Sequence, residues 1–64
     1  MKRADLLHHL RARGCRLVRE GSKHSVFTNT KNDCMSTIPR HGELHPFLVR
    51  KICKDLGIVP PRGK

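Results

Sequence analysis

Hydrophobic residues recur at three- and four-residue spacing near the start of the chain. Leu6, Leu7 and Leu10 follow this spacing within 3–13. Such a period is typical of an amphipathic helix with one apolar side. Gly14 comes directly afterwards and can adopt the left-handed conformation that ends a helix. The pattern therefore predicts a first helix over 3–13.

Three short segments separated by turn residues come next. They span 15–20, 24–29 and 34–38, and the residues between them are Gly-Ser and Thr-Lys-Asn-Asp stretches that favour chain reversals. This spacing predicts a three-stranded antiparallel meander. The third strand is expected to end near Ile38, because Pro39 has no amide hydrogen with which to extend a ladder.

The alternation of side chains in the middle strand predicts where its histidine points. Side chains of a strand alternate between its two faces. Phe27 therefore shares one face with Ser25, and His24 shares the other face with Val26 and Thr28. With Phe27 in the core, His24 points away from the core.

A second amphipathic helix is predicted from Pro46 onwards, since proline suits an early helical position. Its apolar face consists of Leu48 or Val49 together with Ile52 and Leu56. The basic residues of this segment fall on the opposite face. The spacing thus indicates a helix with one buried side.

The predicted order is helix, three strands, helix, which defines an α+β fold. In so short a chain both helices have to cover one face of the antiparallel sheet to form a core. We expect a single domain over 1–58, because Gly57 supplies the stop of the second helix. Residues 59–64 contain two prolines, a glycine and two basic residues, so we expect a flexible basic tail there.

Charge limits the classes of partner. The 64 residues include 14 Lys and Arg but 5 Asp and Glu, which gives a net charge of +9. Such a surface attracts nucleic acid, an anionic membrane or an acidic protein. We find no signal-peptide core and no apolar run of roughly 18 residues that would span a membrane. We therefore expect a cytoplasmic protein without a membrane partner.

The cysteines and acidic residues bear on metal binding. Cys15, Cys34 and Cys53 are odd in number and widely spaced, which favours free, mostly buried thiols over a disulfide framework. No Cys-x-x-Cys pair of the kind found in zinc sites occurs. The acidic residues are scattered, whereas magnesium ligands cluster. The sequence predicts neither a metal nor a cofactor.

The candidate chemistry begins with Gly-Ser-Lys-His at 21–24, where a turn leads into the middle strand. Alone, such a tetrapeptide is common by chance. It is followed by Ile-Pro-Arg-His at 38–41 and by a helix that ends in Leu-Gly-Ile at 56–58. This ordered set resembles the HicA family of toxin–antitoxin systems over about residues 3–58.

The resemblance implies a fold like the double-stranded RNA-binding domain, which agrees with the pattern of elements. It also implies a toxin that cleaves mRNA, with one catalytic histidine that matches His24, and a HicB-type antitoxin as partner. Many family members have Gly-Ser-His-His at this element. Here Lys23 replaces the first of these histidines, so His24 is left to carry the role.

Elementary chemistry is compatible with a metal-independent endoribonuclease. RNA carries its own nucleophile, the 2′-hydroxyl group, so cleavage needs proton transfer and stabilisation of charge on phosphorus. A histidine suits that proton transfer near neutral pH. We expect Lys23 to hold a phosphate by its charge and Arg40 to hold one by paired hydrogen bonds. Further RNA contacts are predicted for Ser22, Lys2, Arg3 and Lys51.

Alternatives remain at two levels. His41 either caps or hydrogen-bonds the turn into the second helix, which we expect, or it contacts the substrate directly. A non-catalytic double-stranded RNA-binding module is the alternative to a nuclease, since basic residues spread over a surface suit the recognition of duplex RNA by its shape. A DNA-binding regulator would need a helix-turn-helix, and the predicted helices are separated by the whole sheet.

Overall fold

The computed structural model describes residues 1–61 and contains five elements. These are α1 (Arg3–Ala12), β1 (Cys15–Glu20), β2 (His24–Asn29), β3 (Met35–Pro39) and α2 (Pro46–Leu56). The central strand β2 pairs antiparallel with both β1 and β3. The predicted α+β fold, which is that of a double-stranded RNA-binding domain, is confirmed.

Both helices contribute to one core against a single face of the sheet. Each strand supplies one buried hydrophobic side chain to this core, namely Cys15, Phe27 and Ile38. The helices and the segment before α2 supply Leu6, Leu10, Leu44, Val49, Ile52, Cys53 and Leu56. The arrangement of both helices on one face follows, as the sequence predicts.

The alternation predicted for β2 is confirmed. Ser25 and Phe27 are buried, whereas His24 is exposed and Val26 and Thr28 are half-buried. In α2, the structure decides between the two candidates for the apolar face: Val49 is buried and Leu48 packs only partly against the core. His24 therefore lies on the face of β2 that does not carry the buried residues Ser25 and Phe27.

The expected end of β3 near Ile38 is confirmed to within one residue, since the strand ends at Pro39, which lies opposite His24 in β2. The Arg40 amide donates a 3.1 Å hydrogen bond to the carbonyl of Lys23, just beyond this pair. Such bonds flank a non-hydrogen-bonded pair in an antiparallel ladder. Pro39 needs no amide hydrogen at that position, which is why it can end the strand.

The predicted stop of α2 is confirmed in detail. Gly57 adopts a left-handed conformation with φ of 70°, and the amide of Ile58 folds back to donate a 2.9 Å hydrogen bond to the carbonyl of Cys53. The side-chain amide of Asn29 donates a 2.8 Å bond to the carbonyl of Leu56. The last turn of α2 is thus tied to the end of β2.

The three cysteines are free, as expected. Cys15 and Cys53 are buried and Cys34 is half-buried. Burial raises the pKa of the Cys15 thiol. Burial also raises the pKa of the Cys53 thiol, to which the neighbouring Cys15 adds a smaller contribution of the same sign. Both core thiols therefore stay protonated at neutral pH.

The predicted tail over 59–64 is described only in part, because residues 62–64 lie outside the described residues. The Val59 carbonyl oxygen lies 2.8 Å from Nε2 of His9, which places the start of this segment against α1. Within residues 1–61, neither helix has the length and hydrophobicity to cross a membrane.

Candidate active site

His24 stands at the head of the central strand, directly after a tight turn. The amide of Gly21 donates a 2.8 Å hydrogen bond to the carbonyl of His24, which closes the turn. A Cβ atom at Gly21 would approach that carbonyl to 3.1 Å, so glycine suits the turn best. The turn thus fixes the carbonyl of His24, while the residue itself is exposed.

A depression of about 380 Å³ lies beside this turn. It is lined by Ser22, Lys23, His24, Pro39, Arg40 and His41, and we call it the turn depression. Ser22, Lys23, His24 and Arg40 are all residues that the sequence predicts at the site. The structure thus brings together predicted residues from two motifs that lie far apart in the sequence.

His41, for which the sequence left two roles open, also lines the turn depression. The sequence-based expectation that His41 caps α2 was wrong, because the cap is His45, whose Nδ1 accepts a 3.1 Å hydrogen bond from the amide of Phe47. Pro46 fixes the start of the helix, so the capping residue is the one directly before it. His41 is left in the loop before α2, with its side chain at the turn depression.

A partly buried hydrogen-bond network supports the strand ends beside His24. Arg3 donates a 2.6 Å bond from Nη2 to the hydroxyl of Ser25 and a 2.9 Å bond from Nε to the carbonyl of Pro39. The Ser25 hydroxyl in turn donates to Oε2 of Glu20 at 3.1 Å. Because Ser25 is fully buried, these partners satisfy a hydroxyl that would otherwise destabilise the core.

Arg40 extends this network to the turn. Its Nη1 lies 2.8 Å from Oε2 of Glu20 and donates a 3.2 Å bond to the carbonyl of Gly21. The Glu20–Arg40 pair is about half exposed, so it contributes little to stability through charge alone. Its consequence is geometric, since it fixes the turn that precedes His24. Both contacts use Nη1, and a guanidinium has further N–H donors for a phosphate.

A second concavity adjoins the turn depression between β3 and α2. This helix groove, of about 510 Å³, is lined by His24, Val26, Met35, Ser36, Thr37, Pro39, Leu48, Lys51, Ile52 and Asp55. Lys51 is well exposed, and its Nζ lies 3.2 Å from Oδ2 of Asp55. Lys51 and His24 thus line the same groove.

The two remaining predicted residues lie outside both sets of lining residues. Lys2 is exposed, and its backbone forms a bridge with Glu43. Arg3 is half-buried, with the intramolecular partners given above. The structure therefore separates Lys2 and Arg3 from the residues that line the concavities around His24. Arg3 nevertheless contacts two neighbours of His24, the Ser25 hydroxyl and the Pro39 carbonyl.

Two residues at the site, Glu20 and Ser25, escaped prediction, and the helix-capping role expected of His41 was wrong. A signal existed for Ser25, because a polar residue on the same strand face as Phe27 needs a hydrogen-bond partner in the core. Glu20 gave no comparable signal, since its pairing with Arg40 depends on the packing of the turn. For His41, the position of Pro46 would have assigned the helix cap to His45.

The metal-binding potential of the site is limited by its side chains. Within residues 1–61, no group of three or more His, Cys, Asp or Glu side chains is arranged to hold a metal ion. The residues around the turn depression are instead cationic, hydroxyl-bearing and imidazole groups. Such a set suits an anionic ligand such as a phosphate group.

Fold and site together define a small basic domain with the fold of a double-stranded RNA-binding domain and an exposed histidine at the head of its central strand. The family model for the HicA toxin of bacterial toxin–antitoxin systems matches residues 3–58. The match covers most of the 64 residues, and the chain belongs to the HicA toxin family. Membership of this family implies an antitoxin partner. No curated protein and no solved structure matches the chain.

Proposed function

We propose that the protein is an endoribonuclease toxin that cleaves mRNA in the cytoplasm through His24. The observation that carries this proposal is the turn depression, where an exposed histidine lies beside Ser22, Lys23 and Arg40. An imidazole can transfer a proton, and the adjacent cations can hold the phosphate at which cleavage occurs. The domain over 1–58 is the unit to which we assign the activity.

Binding of RNA in this proposal depends mainly on phosphate contacts. The net charge of +9 attracts a polyanion, and Lys23 is exposed at the site. Lys51 extends the cationic surface into the helix groove. Lys2 supplies a more distant contact to the same polyanion. Arg3 acts chiefly through Ser25, because its guanidinium already has partners within the chain.

The proposed chemistry uses the 2′-hydroxyl of RNA as the nucleophile. His24 removes the proton from this hydroxyl, and Lys23 and Arg40 stabilise the charge that develops on the phosphate oxygens. A general base contributes a rate factor of about 10² to 10⁴. The scheme assigns no step to a metal ion or to another cofactor.

A HicB-type antitoxin is the proposed protein partner. The cationic surface around Lys23 and Arg40 would be covered by an acidic surface of the antitoxin, which would exclude RNA from His24. Charge reversal by Lys23→Glu should then weaken antitoxin binding, measured by calorimetry, more than the same change at Lys31, which lies outside both concavities. Equal affinities for the two variants, or continued cleavage in the complex, would contradict this mode of neutralisation.

The test of the nuclease proposal compares three purified proteins on one long mRNA in the presence of EDTA. We expect cleavage by the unmodified chain and loss of cleavage in His24→Ala. His8→Ala is the matched control, because His8 is an exposed histidine of α1 that lines neither concavity. Circular dichroism and RNA binding should be similar in all three. Binding without cleavage by the unmodified chain would instead favour a non-catalytic double-stranded RNA-binding module.

A further inference from the structure

His41 lines the same depression as His24. We propose that His41 is a second catalytic residue, the general acid that protonates the 5′-oxygen as it leaves phosphorus, while His24 acts as the general base. This inference rests on the proposed nuclease function. It assigns a role that the single histidine of the HicA resemblance leaves open.

The backbone around His41 is held in place on both sides. Before it, the Arg40 amide donates a 3.1 Å hydrogen bond to the carbonyl of Lys23. After it, the carbonyl of Gly42 accepts a 2.9 Å hydrogen bond from the amide of Arg3. His41 is therefore an exposed loop residue whose two neighbours are each anchored to another part of the chain.

The pairing of β2 with β3 brings the segments that carry the two histidines together. His24 lies directly opposite Pro39, and the bond between Arg40 and Lys23 joins the two segments one residue further on. His41 follows directly after Arg40, in the loop beyond the paired residues. Both histidines line the turn depression of about 380 Å³, so a phosphate bound there would have one histidine on each of the two segments.

The reaction itself calls for groups on two sides of phosphorus. In a phosphoryl transfer the attacking and leaving oxygens lie roughly in line, with phosphorus between them. A single imidazole at the 2′-hydroxyl is then on the wrong side to reach the departing 5′-oxygen. Residues 22–24 and 39–41 come from neighbouring strand ends, and each of these two segments contributes one histidine to the turn depression.

The other side chains around the turn depression are less suitable acids. A guanidinium does not give up its proton in proteins, and Arg40 is also engaged with Glu20. Lysine and serine hold their protons more tightly than an imidazolium near neutral pH. Lys23 and Ser22 are therefore better suited to binding phosphate oxygens. His41 is the lining residue whose chemistry fits the departing oxygen.

The step balances without a further reactant. The 2′-oxygen forms a bond to phosphorus as His24 takes its proton, and the bond from phosphorus to the 5′-oxygen breaks as that oxygen takes a proton from His41. The products are a 2′,3′-cyclic phosphate and a 5′-hydroxyl. His24 ends the step protonated and His41 neutral, and exchange with water restores both for the next turnover.

A substrate whose leaving group needs no acid provides the test. The substrate is an RNA hairpin that carries one cleavage site mapped on the long mRNA. Only the ribose at that site keeps its 2′-hydroxyl, and all the remaining riboses carry 2′-O-methyl groups. One version has the natural 5′-oxygen at that site and the other has a bridging 5′-sulfur. Sulfur leaves readily as a thiolate, so loss of the general acid should no longer limit its release.

We expect His41→Ala to cleave the oxygen substrate about 10² to 10⁴-fold more slowly than the unmodified chain and the sulfur substrate at a nearly unchanged rate. His24→Ala should fail on both, and His8→Ala should cleave both normally. Equal slowing of both substrates by His41→Ala, normal cleavage of the oxygen substrate, or rescue of His24→Ala by sulfur would overturn the assignment. Absence of any cleavage by the unmodified chain would refute the nuclease function itself and this inference with it.

Discussion

The guanidinium of Arg3 donates a 2.6 Å hydrogen bond to the buried hydroxyl of Ser25, the residue that directly follows His24. The first helix is thereby connected to the strand that presents the candidate catalytic side chain. The same guanidinium contacts the carbonyl of Pro39, opposite His24 in the sheet. The position of the imidazole thus depends on a residue from the far end of the domain.

Replacement of Arg3 should therefore reduce stability more than replacement of an ordinary surface arginine. Arg3→Ala leaves the Ser25 hydroxyl and the Pro39 carbonyl without this donor, which costs about 1–3 kcal/mol of unfolding free energy for a buried polar group. Arg50→Ala, on the exposed side of α2, is the control. Urea unfolding measures both, and equal midpoints for the two variants would show that the Arg3 contacts contribute nothing to stability.

Gly57 and Gly42 differ in how much space their surroundings leave for a side chain. Gly57 has φ of +70°, and a Cβ atom there would lie 2.6 Å from Nδ2 of Asn32. Gly57→Ala should lower stability by about 1–2 kcal/mol for the left-handed backbone alone, with the contact to Asn32 adding to this. A Cβ atom at Gly42 meets no atom within 4 Å, so Gly42→Ala should be nearly neutral. Thermal unfolding of the two variants would contradict this account if both lost stability equally.

The core thiols make stability depend on alkaline pH. Burial raises the pKa of both Cys15 and Cys53 from the ordinary 9.0. The folded state therefore holds these protons more tightly than the unfolded state. The stabilisation is complete below pH 9 and is lost as pH rises through the raised values. The urea midpoint of the unmodified chain should therefore fall as the pH rises above 9. Cys53→Ala lacks one of the two thiols, so its midpoint, compared with its own value at neutral pH, should fall less.

Thiol labelling gives an independent check on the same burial. The half-buried Cys34 should react with an aromatic disulfide reagent before unfolding, whereas Cys15 and Cys53 should react only as fast as the protein opens. Equally fast labelling of all three thiols would contradict the burial of Cys15 and Cys53 in the core. The variant Cys34→Ser should remove the fast phase and leave the slow one.

Lys23 should contribute to RNA affinity through its charge. With cleavage removed by His24→Ala, the additional change Lys23→Ala should weaken RNA binding and lower the slope of log affinity against log salt by about 0.7–0.9, the contribution of one phosphate contact. Lys31→Ala removes the same charge from an exposed loop outside both concavities and should affect binding less. Fluorescence anisotropy over a salt series measures both slopes. Equal effects of the two changes would mean that Lys23 contributes only to the overall electrostatic attraction between the protein and RNA.

Local patterns were sufficient for much of the fold. The alternation around Phe27 predicted the exposed face of His24, and Gly57 predicted the end of α2, because both depend on residues close in sequence. The inclusion of Pro39 itself in β3 had no local signal, since the ladder position of a proline depends on the register with β2. That register is a tertiary property.

The candidate site was predictable to a similar extent. Two short motifs indicated Ser22, Lys23, His24 and Arg40, and the structure places these residues around one depression. The Glu20–Arg40 pair and the Arg3–Ser25 bond join residues from different elements. No local pattern specifies such contacts. They explain why Arg3 supports the backbone and core beside His24 instead of lining the turn depression.

The central claim is that His24 promotes attack of the 2′-hydroxyl on its own phosphodiester bond. The most direct measurement is the chemical identity of the ends produced when the purified chain cuts a long mRNA in EDTA, with His24→Ala alongside. The account predicts fragments with 5′-hydroxyl ends, which a polynucleotide kinase labels without prior phosphatase treatment, and 2′,3′-cyclic phosphates on the other side of each cut. Fragments with 5′-phosphate ends, or the same fragments from His24→Ala, would contradict it.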